Sequence, residues 1–261
     1  MFKKGFTLAE VLITITILGV VAVLTIPALK TDIDKTSWAQ GLKVNYYNIQ
    51  QGFHRMLADQ GVDSLGDTEL ADIVPMTLLY KPNSSSGSSS GGGDGEEEEN
   101  ENEATNEAIL KEMSKYFSIQ KMDIGVPEDH PIRKYSGAKY TSEISDSLKF
   151  YLENGSIMYI RFGRYSAGSN AQKYGTFGPT RMYIDVNGEK GPNTLGKDIF
   201  YIYRITDDGN LVLYGLGIDS NVRWDTASGV YACTDEAIKT NKSNGLTCGA
   251  RVFEQGFKIT Y

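Results

Sequence analysis

The sequence predicts an α+β protein in which one long N-terminal helix packs on a C-terminal antiparallel sheet. Three observations carry this reading. Residues 6–29 form a predominantly apolar run broken by a single charge, Glu10. Helical periodicity then continues to about residue 60. From Leu148 onward the period becomes that of short strands separated by turns.

The first five residues, MFKKG, form a short basic leader. The apolar run from Phe6 to Leu29 is long enough to cross a bilayer, whose core needs ~20 predominantly apolar residues. It is longer than the apolar region of a secretory signal peptide, and no small-residue cleavage site follows it. The simplest reading is a single-pass anchor over residues 6–29. Glu10 complicates it, because a carboxylate inside such a run is costly in lipid and calls for a partner. In a first helical turn it also meets the positive end of the helix dipole.

Residues 30–60 read as the amphipathic half of the same helix. Ile33, Trp38, Leu42, Ile49, Phe53, Met56 and Leu57 fall near one face, with Asp32, Lys35, Gln40, Lys43 and Asp59 largely on the other. A helix from Phe6 to Gln60 would be ~80 Å long. Pro27 lacks a backbone donor and predicts a kink or local unwinding.

Residues 61–147 are a mixed region. A low-complexity stretch predicts a flexible acidic loop over 83–104. Its seven acids between Asp94 and Glu103 equal the whole chain's net charge of −7, so the remainder is near neutral. Ile109, Leu110, Met113 and Phe117 then recur at helical spacing and predict a short helix over 105–122. Residues 148–261 form the sheet-containing head. Strands are predicted over 148–153, 156–162, 181–186, 199–205 and 211–214, the first two joined by the hairpin signal Asn154-Gly155.

A pI near 5 without clustered bases argues against nucleic acid as a partner. The two histidines, His54 and His130, stand in separate contexts, and no nucleophile–base arrangement or phosphate cradle is evident. No enzymatic activity is expected. Cys233 and Cys248 have no nearby histidine and make a poor metal site; in an exported chain they would pair as a disulfide.

The segment Lys3-Lys4-Gly5-Phe6-Thr7-Leu8-Ala9-Glu10 resembles the processing motif of type IV pilins and the related type II secretion pseudopilins. The resemblance implies a pilin-like fold. It also implies cleavage after Gly5 by a prepilin peptidase and methylation of the new N-terminal Phe6. Glu10 then becomes the fifth mature residue, paired in the family with the N-terminal amine of a neighbouring subunit. Such pairing would fix register, since an unpaired buried charge is strongly unfavourable. The implied function is that of a structural subunit of a bacterial type IV pilus-like filament, assembled through its N-terminal helix. Its expected partners are other copies of itself, related pilins, an inner-membrane assembly platform and membrane lipid. The expected location is the cytoplasmic membrane with the head outside the cytoplasm, and later a filament in the periplasm or on the cell surface. A pseudopilin that drives protein export is the alternative within the family. A membrane-anchored ligand-binding or enzymatic ectodomain is the alternative outside it.

The loop from Asp185 to Asp198 is similar to sheet loops of major pseudopilins, some of which bind calcium. Asp185, Asn187, Glu189 and Asp198 are the candidate ligands for a calcium ion implied by this similarity, and no other cofactor is expected. The competing reading is a turn-rich connection whose Asp and Asn side chains bond their own backbone.

Overall fold

The computed structural model describes residues 5, 7–74, 95–126, 131–140, 144, 147–164, 177–218 and 222–261. Helix α1 spans Leu8–Gln60. Thr7 caps its start, and Gly61, left-handed at φ 66°, caps its end by donating to the Ala58 and Leu57 carbonyls. Pro27 lies inside it, and the expected unwinding is not seen: the α-helix runs through that position. A proline removes only its own donor, so the ladder resumes on either side.

The two halves of α1 have different surroundings. From Leu8 to Ile33 its large apolar side chains are exposed. From Ala39 onward, Leu42, Tyr46, Ile49, Phe53 and Met56 are buried against the head. Ile33, expected on the packed face, is 65 % exposed. Gly52 permits the closest approach: a Cβ there would lie 2.2 Å from the Phe117 ring, which packs edge-on to Phe53 at 5.0 Å.

A short helix, α2 (Glu69–Ile73), follows. Helix α3 spans Gly95–Ser114 and strand β1 spans Ile119–Ile124. Both correct the reading of this region. The helix was expected over 105–122, after an acidic loop reaching residue 104. Instead it starts within the acidic tract and ends earlier. Glutamate is a good helix former, and acids suit the first turns of a helix. Beyond Ser114 the chain gains more by pairing with the sheet edge, where Met122 faces Phe150. Residues 83–94 of the expected acidic loop lie outside the described residues.

The sheet is an antiparallel meander of six strands in the order β1 to β6. After β1 come β2 (Leu148–Leu152), β3 (Ile157–Arg164), β4 (Phe177–Asp185), β5 (Ile199–Ile205) and β6 (Leu211–Leu213). Asn154-Gly155 makes the β2–β3 turn: Asn154 Oδ1 accepts from the Ser156 N–H. Buried Asn45 of α1 accepts from both Asn154 Nδ2 and Ser156 Oγ, tying the turn to the helix.

Alternation along the strands makes two cores. Phe150, Met158, Ile184 and Phe200 face α1. Ile157, Tyr159, Tyr183 and Tyr201 face the other way, into a second cluster with Ile132, Tyr140 and Leu195. That outer layer is woven from three loops. The Arg133 N–H donates to Asn193 O at 2.8 Å, the Leu195 N–H to Arg133 O at 2.9 Å and the Tyr135 N–H to Asn244 O at 3.2 Å. Helices α4 (Asp235–Lys239) and α5 (Cys248–Glu254) complete the C-terminal region.

Candidate functional site

Two sites were expected, the start of α1 and the 185–198 loop. At the first, Gly5 is exposed and Phe6 lies outside the described residues. Glu10 sits in the first turn and forms a capping box with Thr7. Thr7 Oγ1 and the Thr7 N–H each donate to Glu10 Oε2 at 2.8 Å, while the Glu10 N–H donates to Thr7 Oγ1 at 3.3 Å. The carboxylate is exposed, as is the helix around it. None of the apolar stretch that qualifies α1 as a membrane span is covered by the other described residues. Thr14, Thr16 and Thr25 turn their hydroxyls back onto the carbonyls of Val11, Leu12 and Val21. Their polar atoms are thereby satisfied within the helix, as a lipid or protein environment requires.

The second site divides. Asp185 and Asp198 are fully buried, at 1 % and 0 % exposure. Burial, reinforced by the neighbouring Asp198, pushes the Asp185 carboxyl well above the ordinary range. Asp198 is also raised, again chiefly by burial, although the Thr194 and Asn193 N–H groups donate to its two oxygens. Asn187 donates its backbone N–H to Asp185 Oδ1 and its amide to Gly191 O. Among the described residues, the side-chain oxygens of Asn187 and Asn193 are buried without a hydrogen-bond partner. Both carboxylates thus accept from N–H groups of the loop, that of Gly188 toward Asp185 included, while the two amide oxygens are left over.

Glu189 does not join this group. Its Oε1 accepts from Lys149 Nζ and from Tyr151 Oη, both at 2.9 Å. Among the described residues no set of three or more His, Cys, Asp or Glu is placed to hold a metal ion. Any cation here would rest on Asp185 and Asp198 with the amide oxygens of Asn187 and Asn193.

Cys233 and Cys248 form the expected disulfide, with Cα atoms 5.3 Å apart. The bridge lies against the same loop, since a Cβ on Gly196 would meet Cys248 Sγ at 3.1 Å. Arg251 braces this region. It donates to Cys233 O at 2.7 Å, bonds Asp235 and Thr260, and lies 4.9 Å from the Tyr261 ring centroid.

Sequence reasoning missed three residues: Lys149, Arg251 and Asn193. Lys149 and Arg251 look like surface charges on alternating or amphipathic segments; Lys149 is buried on the outer face of the sheet, and Arg251 among Cys233, Asp235, Thr260 and Tyr261. For Asn193, the repeated oxygen-bearing residues of the loop were the available signal. His54 is exposed on α1, and His130 lies outside the described residues.

Residues 1–26 match the family model described as the prokaryotic N-terminal methylation motif. This is the signal motif of type IV pilins and pseudopilins, whose members are structural rather than enzymatic. No curated protein and no solved structure matches the chain.

Proposed function

We propose that this chain, which carries the pilin and pseudopilin signal motif, is a structural subunit of a type IV pilus-like filament. A prepilin peptidase cuts it after Gly5 and methylates Phe6. The apolar half of α1 holds it in the cytoplasmic membrane, head outward, until it joins the filament. One observation carries this reading: a long apolar helix surface that its own head leaves bare, with one carboxylate at its start. A bare apolar surface of this size needs lipid or other copies to cover it. Both covers are used in turn, first in the membrane and then in the filament core.

Glu10 gives the contact its register. Cleavage creates an α-amino group at Phe6, cationic at neutral pH. Glu10 of an adjacent copy neutralises it away from water, and a shifted copy would leave both charges unpaired. Replacing Glu10 with Val tests this. Filaments should be lost while the head keeps its fold, measured by filament shearing and by thermal melting. Unchanged filament yield would contradict the assembly role. A filament that drives protein export by the pseudopilin route uses the same helix in the same way.

A calcium ion at the head loop is a second proposal. It is favoured by the two buried acceptors without donors, Asn187 Oδ1 and Asn193 Oδ1, beside Asp185 and Asp198. Calcium takes oxygen ligands of these kinds, with water completing its 6–8 positions. It would add to the positive charge that Lys149 brings to Asp185.

A further inference from the structure

A cavity of about 400 Å³ opens where the bare half of α1 meets the head. One wall is α1, with Thr31, Asp34, Lys35 and Trp38; the other is the head, with Lys197 and Tyr261 among its residues. The α1 wall continues the exposed apolar helix. Val20, Leu24, Pro27, Thr31, Lys35 and Trp38 follow one another at spacings of three or four, so they share a face. Leu24 is 72 % exposed and Val20 58 %.

Depth fixes the surroundings of this cavity once residues 6–29 span a bilayer, a premise taken from the proposed function. On the α1 wall Thr31 lies two residues beyond Leu29 and Lys35 six, ~3 Å and ~9 Å along the axis. The polar layer on each side of the hydrocarbon core is roughly 5–8 Å deep. The α1 wall of the cavity therefore begins within the lipid headgroup layer at Thr31 and reaches its outer edge near Lys35.

Its chemistry matches a headgroup. Lys35 and Lys197 have no ion pair among the described residues. Lys197 Nζ lies 5.1 Å from the Tyr135 ring centroid, and the Tyr135 and Tyr261 rings are 5.9 Å apart. Tyr261 is fixed by its hydroxyl on Gly196 O at 2.6 Å. Two ammonium groups, one carboxylate and an aromatic wall suit a ligand carrying a phosphate and a primary amine.

We propose that this cavity binds the headgroup of a zwitterionic aminophospholipid. Lys35 and Lys197 hold the phosphate, Asp34 accepts from the amine, and the acyl chains descend along Pro27, Leu24 and Val20. The bound lipid would set the height and tilt of the head above the membrane before assembly.

Native mass spectrometry of the full chain in detergent micelles doped with phosphatidylethanolamine tests this. One retained lipid per chain is expected. Lys35→Ala and Lys197→Ala should each weaken retention about tenfold, the loss of one charge-assisted contact, and Lys35→Arg should restore it. Phosphatidylcholine, which lacks an N–H for Asp34, should bind less tightly. Millimolar inorganic phosphate should leave the lipid in place; displacement by phosphate would show a simple anion site and overturn the proposal. Retention unaffected by both lysine substitutions would show only lipid around the helix and would also overturn it. If the substitutions change cross-linking between copies but not lipid retention, the cavity is a subunit contact instead. A chain extracted from membranes by alkaline carbonate would remove the membrane premise itself, a failure distinct from the others.

Discussion

Lys149 Nζ lies 2.9 Å from Glu189 Oε1, with the lysine side chain 1 % exposed and the glutamate 44 % exposed. Burial works against the ammonium, but its contacts with Tyr151 and Glu189 outweigh that and hold Lys149 above its ordinary value. Removing Glu189 strands a buried charge, whereas removing Lys149 removes the charge. Glu189→Gln should cost about 1–2 kcal/mol, less than a fully buried pair because Glu189 is half in water. Lys149→Met should cost less than Glu189→Gln. Denaturant unfolding of both variants checks the order.

Asp185 gives the head a pH dependence whose sign can be worked out. Its folded-state value is raised, first by burial and then by Asp198. Between the unfolded value, about 4, and that raised value, the folded chain holds a proton that the unfolded chain has lost. Stability is therefore greatest at or below about pH 4 from this group, and it falls as pH rises through the raised value. Asp185→Asn should flatten the fall. With calcium at the site, millimolar calcium should raise the parent's Tm at pH 7 and leave that of Asp185→Asn unchanged.

The disulfide closes a separation of 15 residues. Its loss should cost roughly 3 kcal/mol. For a chain of this size that corresponds to a Tm lower by about 6–12 °C. Cys233→Ala with Cys248→Ala, melted beside the oxidised parent, checks this.

At the other end of the molecule, Thr7 caps α1 and holds Glu10. Thr7→Ala should loosen the first turn by about 1 kcal/mol, seen as roughly fivefold faster amide exchange there. Thr7→Ser should behave like the parent.

Much of this architecture is legible in the sequence because each element obeys one local rule. The unbroken apolar run gives α1, and Asn154-Gly155 gives the β2–β3 turn. Strand alternation gives the face that Phe150, Met158 and Phe200 present to the helix. The misses share a different cause. β1 carries Lys121 and Asp123 and becomes a strand only because the edge of β2 offers unpaired backbone. The acidic start of α3 looked like loop because it lacks apolar residues, yet glutamates favour helix. Lys149 sits where alternation puts it, on the outer face. What covers that face comes from residues 131–140, 193–198 and 243–248, far apart in sequence. At the candidate sites, residue types pointed to the capped Glu10 and to Asp185 and Asp198. The diversion of Glu189 to Lys149 depends on tertiary packing alone.

The central claim is that this chain enters a filament by way of a processed N-terminus. Mass spectrometry of the N-terminal peptide from the membrane-bound or filament form tests it most directly. The expected chain begins at Phe6 and carries one added methyl group on its amine. A mature protein that retains Met1, or begins at an unmethylated Phe6, would contradict it.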